Sequence, residues 1–316
     1  MNHHDNEGFI DLGDVFRVLL SYKKIILLSI LLSGMISVFV AKSTPNIYRS
    51  SALLEPQQDN QSQSSFSSSG IGGLASIAGI QLPSASGDKG LYAIETIKSK
   101  LFFKHLLQID SETILPSLMA IDSYNIDNNN ITYDKKIYDQ KSQKWIRLVK
   151  GNQKKVPSYI EAHDYFLSII EIYKDKKTGY VYIAIDHQSP VFAQHILKLI
   201  ISEVNTISRQ REIKESSDAI DYLTLKQSST NVSSLRSSIN NLIEQQLQKQ
   251  MLSNIREEFL LKTIDPPIIP EVRVSPNRVF ICIIGVFFGF ILSVFSVLVY
   301  SLVIKNFNKQ NLTRSS

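Results

Sequence analysis

Hydrophobic positions along this chain fall into three patterns. Residues 25–41 (IILLSILLSGMISVFVA) and 279–304 (VFICIIGVFFGFILSVFSVLVYSLVI) are apolar runs without a charge. As helices they extend about 25 Å and about 39 Å at 1.5 Å per residue, against a hydrocarbon core of roughly 30 Å. Each predicts a membrane-crossing helix, the second with some tilt. A cleaved signal peptide is the competing reading of the first run, but its 24-residue polar leader is long for that role and Lys42 interrupts the small-residue cleavage pattern. An uncleaved anchor is expected.

Between the two runs the pattern alternates between period two and helical spacing. Residues 47–54 alternate and close on Pro56, predicting a strand. Residues 57–70 are a stretch rich in Ser, Gln and Asn with one aromatic, too polar for a core and read as a loop. Tyr92, Ile94, Ile97, Leu101, Phe102, Leu106 and Leu107 predict a helix over about 88–108. Residues 109–155 are weakly patterned, with a turn at Asn128, Asn129 and Asn130. Ser158, with Glu161 three residues on, is an N-cap signature for a helix whose apolar face is Ile160, Phe166, Leu167, Ile169 and Ile170. Two β-rich runs, 170–173 and 180–185, flank a loop ending in Gly179 and predict a hairpin.

The third pattern is a long stretch without breakers. Ser189 and Pro190 supply an N-cap and first-turn proline, and no Gly or Pro follows until Pro266. One unbroken helix to residue 263 would carry the chain about 110 Å, whereas residues 264–278 recover at most about 50 Å. The expected solution is a helical hairpin over about 190–258, reversing in the polar cluster 227–231, with two arms of about 50 Å each. Ile196, Leu199, Ile200, Val204 and Ile207 are expected to face Leu235, Ile239, Leu242, Ile243 and Leu247. Such a pair leaves apolar surface uncovered, and neighbouring copies are its natural cover. Residues 259–264 then return as a final strand. Pro266, Pro267, Pro270 and Pro276 form a stiff connector over 266–276.

The resulting fold class is α+β: two transmembrane helices flanking an extracytoplasmic α/β base with a long helical hairpin. The division reads as a tail at 1–24, a first transmembrane helix at 25–41, an exported domain at 42–278, a second transmembrane helix at 279–304 and a tail at 305–316. Arg17, Lys23 and Lys24 before the first anchor, with Lys305, Lys309 and Arg314 after the second, place both tails in the cytoplasm. The bias is modest, since Lys42, Arg49, Arg273 and Arg278 flank the same runs on the other side.

A net charge of +5, scattered along the chain, does not argue for nucleic acid. The single cysteine, Cys282, lies in the second apolar run, so the exported part has no disulfide and no thiolate metal site. The six histidines (His3, His4, His105, His163, His187 and His195) show no metal-ligand spacing, and neither a Gly-x-Ser-x-Gly elbow nor a P-loop ending is present in the Gly-rich run 71–80. No cofactor is expected and the chain is not read as an enzyme. Three features remain as candidate contacts. Gly285, Gly289 and Ser293 put small residues on one helix face, for a contact with the first anchor or with a membrane partner, beside the plainer reading of ordinary membrane-helix composition. The four prolines set the connector. Lys135, Lys136, Lys141, Lys144, Arg147 and Lys150, interleaved with Tyr138 and Trp145, form a basic segment that suits anionic sugars or lipid headgroups, beside the plainer reading of a solvated surface.

Taken in order, several pieces resemble the Wzz family of polysaccharide chain-length determinants, the co-polymerases without a kinase domain. They are Ile10-Asp11-Leu12 ahead of the first anchor, Ser189-Pro190 with Ala193, Ile264-Asp265-Pro266 with Pro270, and Ser275-Pro276-Asn277-Arg278 leading into an anchor with Gly285 and Gly289. The Gly-rich run 71–80 and Trp145 also look like this family. The resemblance implies an inner-membrane, ring-forming homo-oligomer. It would set the length of O-antigen or a related lipid-linked polysaccharide with a Wzy-type polymerase. The hairpin arms look short beside the tallest members, and the 12 residues after Ile304 hold no Walker motif, so no fused kinase is expected. An export accessory of an ABC-transporter capsule pathway shares the same plan and is the alternative.

Overall fold

The structure, a computed structural model, describes residues 12–57, 88–126, 128–149, 151 and 154–314. The Ile10-Asp11 pair, the Gly-rich run 71–80, His3, His4 and Lys150 lie outside the described residues. The chain divides into a membrane unit built from its two ends, 1–46 and 274–316, and a second unit over 47–273.

In the membrane unit, α1 (Leu12–Ser21) precedes α2 (Lys23–Ser43), which packs along α8 (Arg278–Arg314). Two helices in this unit, Lys23–Ser43 and Arg278–Ser301, are long and apolar enough to cross a membrane. Their contact is built from small residues. A Cβ on Gly285 would meet the Ser37 hydroxyl oxygen at 2.4 Å, and one on Gly289 would meet that of Ser33 at 1.9 Å. Ser37 Oγ also donates to the Ile281 carbonyl at 2.8 Å. Without hydrophobic drive in lipid, such close approach and interhelical hydrogen bonds are what hold helices together.

The second unit is organised on an antiparallel sheet in which β1 (Ile47–Pro56), β6 (Ile170–Lys174), β7 (Val181–His187) and β8 (Leu261–Asp265) run in the order β6-β7-β1-β8. Tyr48 pairs with His187, Ser50 with Ile185, Ala52 with Ile183 and Leu54 with Val181, so one face carries the buried set. The opposite face holds Arg49, whose guanidinium grips Asp186 through two 2.7 Å bonds and reaches Glu171 at 2.7 Å. Over the buried face lie α3 (Lys89–Lys98), α4 (Lys100–Met119), α5 (Tyr159–Ile169) and the first half of α6 (Pro190–Ser229). The expected caps form: Ser158 accepts from Glu161 N and Ser189 from Phe192 N. Gly179, at φ +76°, takes the left-handed turn position, and Asp175 accepts from the Lys177 and Thr178 amides.

The α+β class and the helical hairpin expected from the sequence are present, but three details differ beside the face of α5, where Ile160 and Leu167 are exposed and Ala162, His163 and Phe166 are buried. The single helix expected over 88–108 is two, because Ser99 leaves the helical conformation to cap α4, which runs on to Met119 past a non-helical Asp110 and Pro116. The weakly patterned segment holds two small hairpins, β2 (Ile121–Asn125) with β3 (Asn130–Tyr133) and β4 (Tyr138–Asp139) with β5 (Lys144–Trp145). These strands are too short to show a period.

The third difference concerns the hairpin. Its arms are unequal, 40 residues in α6 and 23 in α7 (Ser233–Ile255), or about 60 Å and about 35 Å. Ile196, Ile200 and Val204 are buried in the sheet core rather than against the second arm. Of the expected partners on α7, Ile239 is 7% exposed and Ile243 half-buried, but Leu235, Leu242 and Leu247 are 52%, 42% and 43% exposed. The apolar stripe of α6 is consumed by the sheet. The remaining seam pairs Ser208, Glu212 and Ser216 with a face of α7 that includes Lys249 and Ser253.

Asn205 closes the base of the hairpin. Its amide nitrogen donates to the Ile201 and Leu261 carbonyls at 3.1 and 3.0 Å, while its oxygen accepts from the Leu260 and Leu261 amides at 2.8 and 2.9 Å. One buried side chain thereby fixes where the chain leaving α7 re-enters the sheet.

Candidate functional site

The basic segment expected to act together is divided by the structure. Lys135, Lys136, Lys141 and Lys144 are exposed. Arg147 is engaged: its guanidinium bonds both carboxylate oxygens of Glu161 and the carbonyls of Lys154 and Lys155. That bidentate bond raises the Arg147 pKa and holds the Glu161 carboxyl below its ordinary value. Its role here is to tie the segment after β5 onto the first turn of α5.

The turn that joins β4 to β5 is tight for a chemical reason. The Asp139 carboxylate accepts from the Lys141 amide and the Ser142 hydroxyl at 3.1 and 2.7 Å. Gln143 then sits at φ +52°, a left-handed position that a side chain seldom occupies. Across the strands Tyr138 pairs with Trp145, their ring centroids 5.1 Å apart, and Tyr133 meets Tyr138 edge-on at 5.4 Å.

This hairpin stands over the second half of α4 and encloses a groove of about 210 Å³. Leu115, Pro116 and Val156 give it apolar lining, and Tyr138 and Trp145 give it aromatic lining. Ser111, Glu112 and Gln143 supply the polar lining. Among the described residues, none of the side-chain polar groups of Ser111, Glu112, Tyr138, Gln143 or Trp145 has a hydrogen-bond partner. Burial, with the charge of nearby Glu112 and the Tyr133 ring hydroxyl, raises the Tyr138 pKa and keeps it a neutral phenol. Sequence reasoning singled out Tyr138 and Trp145 only as aromatics within a basic run. Ser111 and Glu112 lie about thirty residues away, and nothing local links them to the hairpin.

The remaining candidates have structural partners. Gly285 and Gly289 face Ser37 and Ser33 of α2, while Ser293 bonds the Phe290 carbonyl at 2.8 Å. In the connector, the Pro267 carbonyl accepts from Gln194 at 3.0 Å and the Ile268 carbonyl from the buried Ser50 at 2.8 Å. Pro266 is exposed and Pro270 half-buried; Pro276 follows a cis peptide bond from Ser275. His105 meets Glu203 at 2.9 Å and His195 meets Asp110 at 3.1 Å, two pairs linking α4 to α6. His163 Nε2 donates to the Lys98 carbonyl at 2.8 Å, closing the end of α3. Buried His187 accepts from the Ser189 amide at Nδ1 and donates from Nε2 to the Ser117 carbonyl, and its burial lowers its pKa. Among the described residues no three His, Cys, Asp or Glu side chains gather as metal ligands.

Comparison with known proteins adds one assignment. Residues 8–108 match the family model described as Wzz, chain length determinant protein. This region takes in α1, the first membrane-length helix, β1, α3 and the start of α4. A full-length bacterial polysaccharide co-polymerase superposes on the chain at 14% sequence identity with a TM-score of 0.38, covering 94% of this chain and 99% of that one. No curated protein sequence matches. Residues 8–108 are thus similar to chain length determinant proteins, and the two apolar helices near the termini are compatible with a two-pass inner-membrane protein.

Proposed function

We propose that this chain is a non-enzymatic regulator of surface polysaccharide length in the bacterial inner membrane. It acts beside a Wzy-type polymerase that extends O-antigen or a related lipid-linked glycan. The match of residues 8–108 to the chain-length determinant model carries this reading. Both tails lie in the cytoplasm and the unit over 47–273 in the periplasm, in keeping with the Lys and Arg near the apolar runs.

Copies assemble through the periplasmic unit. What supports this is apolar surface on the hairpin that one chain leaves in water: Tyr222, Leu225, Leu235, Met251 and Ile255 are 60%, 70%, 52%, 62% and 76% exposed. The exposed lysines of the 135–144 segment are left to meet glycan or lipid headgroups. Deleting the gene and resolving the surface polysaccharide on a gel tests the reading. Loss of a modal band with polymer still present is expected. Loss of all polymer overturns it in favour of an export accessory.

A further inference from the structure

We infer that the groove between α4 and the β4–β5 hairpin is a binding site for one neutral sugar ring. The argument starts from what the groove offers. Trp145, half-buried and tilted against the buried Tyr138 ring, presents the aromatic surface, onto which the C–H face of a pyranose stacks. Around it stand a carboxylate (Glu112), a carboxamide (Gln143), a hydroxyl (Ser111) and the indole N–H of Trp145. Among the described residues all four lack protein partners, so donors and acceptors are free to meet ring hydroxyls. An apolar floor with a few converging polar groups is the general form of a small-ligand site.

Size and charge narrow the occupant. At about 210 Å³ the groove lies below the roughly 300 Å³ of ordinary small-molecule pockets, so it holds a single ring and binds weakly. Among the described residues Glu112 is the one formal charge in the lining, and it opposes an acidic sugar at the same place. Gln143 is the sharpest sign of selection for side chain over backbone ease: at φ +52° glycine is the comfortable residue, yet a long amide is held there against the groove. The site deepens the function proposed above and rests on it for its setting. A repeating glycan offers the same ring many times, and several copies of a weak site would hold it by avidity.

The test uses the full chain in detergent without a sugar headgroup. Trp145 is the only tryptophan, so its emission reports on the groove alone. Maltotriose, mannotriose and chitotriose are the probes, with trigalacturonic acid as the acidic control. At least one neutral trimer should shift the emission saturably at about millimolar concentration. In Gln143→Gly, which relieves the left-handed strain while deleting the amide, thermal stability should hold and binding should weaken roughly fivefold to tenfold. Glu112→Gln should admit the acidic trimer. Silence with every neutral trimer, an unchanged response in Gln143→Gly, or a wild-type preference for the acid overturns the site. The polysaccharide gel reads the proposed function independently. A modal band lost on deletion with Trp145 silent overturns the groove alone, whereas a bound sugar with an unaltered gel overturns the regulator alone.

Discussion

The two helix pairs in this molecule are held by opposite means. Where α2 meets α8, small residues bring the backbones together, with Ser33 and Ser37 seated on Gly289 and Gly285. Where α6 meets α7, buried Ile239 and Ser253 on α7 and Ser208 and Ser216 on α6 accompany an ion pair in which Lys249 reaches Glu212 at 2.5 Å. The first pair suits lipid, in which apolar side chains gain nothing from each other and close contact decides. The second mixes buried Ile239 with hydroxyls and one half-exposed ion pair, and such a pair near the surface adds only about 0–1 kcal/mol. A hairpin with this seam leans on its footing in the sheet, where Asn205 joins it to β8.

The largest effect that would break this contrast is expected at the membrane pair. Gly289→Leu puts a branched side chain where even a Cβ lies 1.9 Å from Ser33 Oγ, and overpacking of this kind costs about 3 kcal/mol. Unfolding in micelles should begin at lower denaturant, and the modal glycan band should shift. An unchanged midpoint would mean that the helices are not pressed together there.

Next comes the footing of the hairpin. Asn205→Ala strands the Leu260 and Leu261 amides and the Leu261 carbonyl in a buried site, at roughly 2–3 kcal/mol. Urea titration followed by amide exchange at 260 and 261 should show the junction opening before the sheet. Retained protection would show that water or a neighbouring group replaces the amide.

Acidification should act on the base through His187, whose two ring nitrogens are both occupied in the neutral form. Since burial depresses its pKa, the native state prefers the neutral ring. The stability it contributes is present above the unfolded imidazole value of about 6.5 and is lost as pH falls below it. Comparing melting at pH 7.5 and 5.5, with His187→Gln as the variant whose melting depends less on pH, checks the sign.

The smallest effect on the isolated chain should come from Leu235→Gln together with Leu242→Gln. Both side chains are largely exposed, so a change within about 0.5 kcal/mol is expected. A fall in oligomer mass by light scattering at unchanged melting temperature would assign this surface to neighbouring copies. An unchanged mass would remove it from the assembly.

Legibility followed the range of the physics. The hairpin turn at Gly179 and the caps at Ser158 and Ser189 announce themselves within four residues, and all three stand where the sequence places them. The helix over 88–108 was half legible, because its apolar spacing runs straight through Ser99 while the backbone does not. Ile196, Ile200 and Val204 were legible as a stripe but not as to which neighbour takes them. A helix between a sheet and a second helix satisfies its apolar face against whichever surface buries more. The groove was least legible, since Glu112 and Gln143 become neighbours only when a two-residue strand pair folds over α4.

By itself the sequence determined the two membrane-length apolar runs, the polar break that turns α6 into α7, and the period-two strands, since each depends on solvent preference or backbone freedom over a few neighbouring residues. Tertiary structure alone decided the unequal arms, the four bonds of Asn205 and the meeting of Glu112 and Gln143 with the Tyr138–Trp145 pair. Those are outcomes of packing between segments far apart in the chain, where the energy belongs to a pair of surfaces and to neither one alone.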